Sequence, residues 1–386
     1  MLEVEHAARA AKDRPDTLTR KRERYLAAGQ WQLIWRRFRR HKLGLAGGAV
    51  AALIYLVALF AEFLAPTTFE EYTAAYRFAP PMPVEIVHIA QDGSWHWGLH
   101  THPLVPTVDK VKMRRTLAPD GQTVVPIHFF VSGAPYKFWG IFPTDLHFFG
   151  TGDPKIPLML LGGDRLGRDL LSRIIYGSRI SLSIGLFGVA ISLLLGVIIG
   201  GISGYIGGIT DNLIQRLVEI LDSIPSVPLW IGLAAIIPLT LAPELVYFLI
   251  TLILALIGWT GLARVVRGRF LALKHEDFII AARLDGASSL RIILRHMVPS
   301  FMSHIIAALS LAIPGMILAE TALSYLGIGL RPPVVSWGVL LQDAQNIRTI
   351  VEAPWLLLPG GAVIVTVLAL NFLGDGLRDA ADPYST

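Results

Sequence analysis

Apolar residues gather into six blocks along the chain, approximately 44–65, 180–204, 213–238, 245–263, 301–322 and 355–373, each with few charges. Blocks of about 20 residues match the length a helix needs to cross roughly 30 Å of hydrocarbon. The pattern predicts an all-α polytopic membrane protein with six transmembrane helices. Between the first block and the second lies a polar interval, 66–163, in which blocks give way to alternation. Residues 84–97 alternate around Asp92-Gly93 and residues 108–130 around Asp120-Gly121. Asp-Gly favours the tight turn of a hairpin, so two hairpins are expected, making a small β-rich insert between helices 1 and 2.

Composition agrees with the bilayer as solvent. The chain has 386 residues, 53% hydrophobic and 16% charged, with a mean hydropathy of +0.55, too apolar for a water-soluble fold of this length. It contains no cysteine, which excludes disulfides, thiolate metal sites and cysteine nucleophiles. The net charge of +5 comes from basic residues beside helix ends. That arrangement fits membrane orientation and not nucleic-acid binding.

Arg20, Lys21, Arg22 and Arg24, then Arg36, Arg37, Arg39, Arg40 and Lys42, precede the first block. This density holds the N-terminus in the cytoplasm. The first block is too long for a signal h-region and reads as a retained anchor. Alternate loops then fall inside, among them 264–295 with seven Lys/Arg against three Asp/Glu, while the outer turn 239–244 has no cation. The expected organisation is a cytoplasmic leader (1–42), helix 1 (43–65), an extracytoplasmic insert with a pre-helix segment (66–177), a transmembrane domain (178–376) and a cytoplasmic tail (377–386). Both termini lie on the cytoplasmic side of a bacterial inner membrane.

The insert holds six of the eleven histidines, including His96, His100 and His102. Their spacing does not match a helical ligand pair and no acid stands convincingly beside them in sequence, so no metal site is assigned. The glycine-bracketed run 162–173 lacks the G-x-x-x-x-G-K-[ST] pattern of a phosphate loop. Inside the spans the chief charges are Glu219, Asp222 and Glu320, placed toward helix ends where water solvates them, so no midplane proton relay is assembled. Gly188, Ser192, Gly196, Gly200 and Gly204 recur at i, i+4 and make a shallow groove suited to close helix packing.

The most informative segment is 276–299, EDFIIAARLDGASSLRIILRHMVP, on the cytoplasmic side. Ala281, Ala282, Leu284 and Ala287 suit a helix, Gly286 interrupts it, and 290–297 resumes an apolar stripe with Arg291 and Arg295 on its polar side before Pro299. Two short helices meeting at a small residue are expected. A membrane-surface helix accounts for the arginines, whereas the small residues favour a smooth knob seated in another protein.

This segment resembles the EAA loop of type I ABC importer permeases, with Ala281, Ala282 and Gly286 matching and Ile280 standing where the family has glutamate. Residues 163–169 and 172–181, Glu320 to Gly329 with Pro332-Pro333 and Ser336-Trp337-Gly338, and Asn371 to Asp379 with Asp382-Pro383 resemble the dipeptide/oligopeptide branch, the C-type subunit with a MetI-like transmembrane domain. The long insert departs from the family's shorter first loop. The resemblance implies a non-catalytic permease subunit for a small solute, peptide foremost, with oligosaccharide, opine or nickel as other cargoes. It implies a homologous second permease, two cytoplasmic ATPase subunits that bind ATP and Mg, and an extracytoplasmic solute-binding protein. No cofactor belongs to this chain. The EAA-like loop, 264–300, would contact the ATPase through Phe278, Ala281, Ala282, Arg283, Asp285, Gly286, Ala287, Ser288, Arg291, His296 and Pro299. The competing classes are an ion-coupled carrier, a receptor or scaffold, and an intramembrane enzyme. A carrier needs a midplane relay, a scaffold has no use for a lever, and an enzyme needs a nucleophile and base or metal ligands at depth.

Overall fold

The computed structural model describes residues 30–89, 95–109, 114–121, 123–153 and 156–381. The basic cluster 20–24, the Asp92-Gly93 turn and Asp382-Pro383 lie outside them. Helices α1 (Gln30–Phe38), α2 (Lys42–Leu59) and α3 (Ala61–Leu64) open the described chain. Strands β1 (Val84–Ile89), β2 (Trp95–Thr101), β3 (Leu104–Asp109), β4 (Arg114–Pro119), β5 (Val125–Pro126), β6 (His128–Phe138) and β7 (Phe142–Gly150) follow. The remainder is helical: α4 (Leu170–Ile206), α5 (Gly208–Ser223), α6 (Ser226–Ala235), α7 (Pro243–Leu273), α8 (Asp277–Leu284), α9 (Ser289–Ile292), α10 (Met302–Tyr325), α11 (Trp337–Leu341), α12 (Ile347–Glu352) and α13 (Leu358–Ala381).

Among the described residues, five helical stretches are long and apolar enough to cross a membrane: Lys42–Leu59, Leu170–Ile206, Pro243–Leu273, Ile305–Tyr325 and Pro354–Ala381. The block expected as a third span, 213–238, is instead a pair. Helices α5 and α6 meet at 87°, because Pro225 drives Ile224 out of the helical region to φ −89°, ψ 125°. The count is five, or six if the bent pair forms one span.

Two further boundaries differ from the hydropathy pattern. Helix α4 begins at Leu170 and not near 180, since the Asp169 carboxylate accepts the N–H groups of Leu171 and Ser172 and caps it there. Helix α7 runs past the apolar block, carrying Arg264, Arg267 and Arg269 as helix rather than loop. Arg267 pairs with Asp211 of α5 at 2.5 Å, and Arg264 pairs with Asp222.

The small-residue groove of α4 lies against α7 and α10. Gly188, Ser192, Gly196, Gly200 and Gly204 are all buried. A Cβ on Gly200 would collide with the Ala263 carbonyl oxygen, and one on Gly204 would stand 2.7 Å from that of Arg267. The Ser192 hydroxyl donates to the Ala255 carbonyl at 3.0 Å. Gly188 faces Met316 of α10. Backbones this close gain dispersion contacts that lipid cannot supply.

Between α2 and α4 stand three small sheets: β1-β2-β5, β3-β4 and β6-β7. The β1-β2 hairpin brackets Asp92-Gly93. The second hairpin is not built around Asp120-Gly121: β3 pairs with β4, which ends at Pro119, and Asp120 donates its N–H to Pro103. A third hairpin, β6-β7, went unanticipated because Trp139-Gly140-Ile141 carries no Asp-Gly signal. Its turn docks on the end of α2, where the Trp139 indole donates to Leu59 at 3.0 Å and the Arg179 guanidinium lies over the Trp139 ring at 4.7 Å. Arg179 also forks onto both oxygens of Glu62 at 2.6 and 2.5 Å.

Candidate functional site

Helix α8 starts after the end of α7 and stops before Gly286, whose φ of +77° admits glycine readily and reverses the chain. The Ser288 hydroxyl then caps α9 by accepting from Arg291. A π turn (Ile293–Met297) and Val298–Ser300 lead into α10. The two short helices around a small residue are therefore present.

One side of this segment is fixed to the helix bundle. Ile279, Ala282, Ile292 and Met297 share a buried cluster with Val266 and Phe270 of α7 and with Phe301 and Ile305 at the start of α10. Phe270 and Phe301 meet edge to face at 5.7 Å. Arg283 extends over Tyr205, near the end of α4, at 5.7 Å. Any displacement of α8 is thereby shared with the ends of three long helices.

The other side is open. Ala281, Arg283, Asp285, Gly286, Ser288, Arg291 and Pro299 are exposed, and Ala287 and His296 are partly so. Phe278 and Ile280 are close to half-exposed, and Leu284 is 83% exposed. This changes the expected smooth knob. Ala282 turns inward, because it shares an i, i+3 face with Ile279, and a large apolar residue, Leu284, occupies the outward face beside Ala281. Phe278, Ile280 and Leu284 thus expose apolar side chains beside Arg283 and Asp285. Periodicity around Ile279 was the available signal for this facing.

At the other end of the bundle, Glu320 is not solvated as expected but fully buried. Its carboxylate accepts from Ser181 at 3.1 Å, Ser324 at 2.8 Å and Ser336 at 2.7 Å. Ser181 in turn accepts from the Trp337 backbone, and the Trp337 indole donates to Ile174. The Glu320 and Ser336-Trp337-Gly338 motifs thus form one polar lock joining α4, α10 and α11. The run 163–169 is a second lock. The Asp164 carboxylate accepts from the backbones of Leu166 and Arg168 and pairs with Arg168 and Arg173, while Arg165 reaches Asp343 at 2.9 Å.

A cavity of about 840 Å³ opens between these locks and the insert. Its lining takes Tyr136 and Lys137 from β6, Arg179 from α4, Glu244 and Tyr247 from α7, and Val334 from the loop before α11. It sits opposite the α8 end of the bundle and carries both charges.

The family described as "Binding-protein-dependent transport system inner membrane component" matches residues 170–384. A second, "N-terminal TM domain of oligopeptide transport permease C", matches 29–81, so the β-rich stretch falls between the two matches. The oligopeptide transport system permease protein OppC of Haemophilus influenzae is 40% identical over 259 residues, 67% of this chain and 81% of that protein. The dipeptide transport system permease protein DppC of Bacillus subtilis is 37% identical over 243 residues, 62% and 70% respectively. A chain of the inward-facing MetNI methionine ABC transporter aligns with 55% of this chain and 98% of its own length, at 16% identity and a TM-score of 0.42.

Proposed function

Because the chain belongs to the family of binding-protein-dependent transport system inner membrane components, we propose that it is the membrane subunit of an ATP-driven peptide importer, with α8 and the turn after it receiving the stroke of a separate ATPase. One observation carries the coupling role. The inward face of α8 shares a core with α7 and α10, while its outward face offers Leu284 and Ala281 uncovered. A lever needs both a rigid attachment and a free grip.

The cycle follows from those two faces. ATP closes a dimer of ATPase subunits in the cytoplasm, α8 moves with the surface that seats Leu284, and Ile279, Ala282 and Met297 pass the displacement to α7 and α10. This permease and a homologous partner then rock between inward-open and outward-open states, and hydrolysis in the ATPase resets them. This chain performs no chemistry. ATP shifts the equilibrium only by its differential affinity for the two ATPase states, so a loosely packed lever would dissipate it. A solute-binding protein delivers cargo on the opposite face, where the 840 Å³ cavity lies.

Peptide is the cargo named for the relatives, and Glu244 and Lys137 in the cavity lining offer one charge of each sign to a zwitterionic backbone. Proteoliposomes holding this chain, its partner permease and the ATPase, supplied with the binding protein, should accumulate labelled oligopeptide on ATP addition. Uptake of an oligosaccharide, opine or Ni²⁺ in place of peptide would reassign the cargo. No ATP-dependent uptake of any of these would overturn the importer reading.

A further inference from the structure

The insert brings together side chains far apart in sequence. Glu85 on β1 and His100 on β2 are cross-strand partners, and His102, just past the end of β2, brings its Nε2 to 3.9 Å from Glu85 Oε2. The absence of an acid beside these histidines in sequence is thus corrected by strand pairing. A register shift between Glu85 and Val87 stands next to the site, the kind of irregularity that re-aims a side chain.

Both rings are oriented by backbone carbonyls. His100 Nδ1 is 2.9 Å from the Gly98 oxygen, and His102 Nδ1 is 2.8 Å from the Thr123 oxygen. A carbonyl only accepts, so each Nδ1 carries the hydrogen, and in the neutral ring each Nε2 presents its lone pair. The Nε2 atoms lie 3.6 and 3.9 Å from Glu85 Oε2, and the three ligand atoms fall within 4.8 Å of one another. Two lone pairs and a carboxylate converging on one point form an acceptor-rich cluster that a cation stabilises. A tetrahedral zinc site with bonds of about 2.0–2.1 Å separates its ligands by roughly 3.3 Å. A shift of about half an ångström in the half-exposed Glu85 brings its oxygen to that distance from both imidazole nitrogens.

We propose that Glu85, His100 and His102 bind one divalent transition metal of the zinc class, with a fourth position open to water. Imidazole and carboxylate suit such a cation better than Mg²⁺ or Ca²⁺. Nδ1–H donated to a backbone carbonyl is the outer-shell arrangement that fixes a ligating histidine. Bound metal ties β1, the end of β2 and the Thr123 loop together, and so stiffens the insert.

The test uses the full chain in detergent, purified without a histidine tag and stripped of metal, then titrated with Zn²⁺ against a chelating dye. One equivalent should bind tightly, and Co²⁺ should show the visible absorption of a four-coordinate nitrogen and oxygen site. His100 and His102 are both buried, so the half-exposed Glu85→Gln carries the comparison, with His102→Gln beside it and circular dichroism to establish that each folds. Each should weaken Zn²⁺ at least about tenfold. Absence of a stoichiometric site, or an affinity in both folded variants unchanged from that of the unsubstituted chain, would overturn the proposal and leave the cluster as a histidine–carboxylate ion pair.

Discussion

At Gly286 a side chain would meet nothing within 4 Å, yet the backbone sits at φ +77°. Conformation, not crowding within this chain, demands the glycine there. Gly286→Asn, which tolerates that region, should retain assembly and cargo-stimulated ATP hydrolysis, whereas Gly286→Trp should lose both by obstructing the ATPase. Equal behaviour of the two variants would separate the turn from the contact. Asp164 is governed by charge. Burial pushes its carboxyl up, but the Arg173 guanidinium, the Arg168 N–H and the Arg168 side chain outweigh that and hold it below the usual 3.8. Its ionised form therefore contributes stability in full above about pH 4 and loses it as pH falls through the lower folded value. Asp164→Asn should flatten that acid limb in a thermal-melt series and cost about 3–5 kcal/mol near neutrality, because Arg173 stays buried without its anion. Gly286 was legible from sequence as the break between two short helices because local geometry fixes it, whereas the 163–169 run was legible only as a family motif and not as an ion-paired lock. Leu284, Glu320 and the Glu85 cluster were not legible, since their settings depend on which helix face turns inward and which strands pair.

Among the elements, the α4–α7 seam followed directly from spacing, as i, i+4 small residues make a groove whatever the partner. Gly200→Leu should force the two backbones apart and cost about 1–3 kcal/mol, read as a lower melting temperature in detergent, with α8 still accessible to probes. An unchanged melting temperature would show that the seam opens freely. The bent α5–α6 pair was hidden from hydropathy, because mean apolarity over 213–238 ignores what a single proline does to the residue before it. The third hairpin was hidden for a related reason. Its turn is held by Trp139 reaching Leu59 and Glu62 across the fold, contacts that no local Asp-Gly signal announces.

Over the whole molecule, apolar blocks were enough to put α8 at one end of the long helices, the end that the proposed function makes cytoplasmic, but not to show it sharing a core with them. The base of the insert is closed by a 2.9 Å bond from the Met82 N–H to the Met159 carbonyl, so replacing residues 84–156 by a short Gly/Ser bridge removes the Trp139 contacts with Leu59 and Glu62 but keeps the 163–169 lock. That deletion should leave membrane insertion intact and weaken capture of the binding protein. Equal affinity would assign docking to 331–349 instead. The lever itself is tested most directly by a single thiol, since the chain has no cysteine. Leu284→Cys, in membranes holding the assembled transporter, should cross-link to the ATPase subunit in a nucleotide-dependent way and react with impermeant maleimide only once the cytoplasmic face is opened. No cross-link to the ATPase, or labelling from the outer face of sealed cells, would contradict the account.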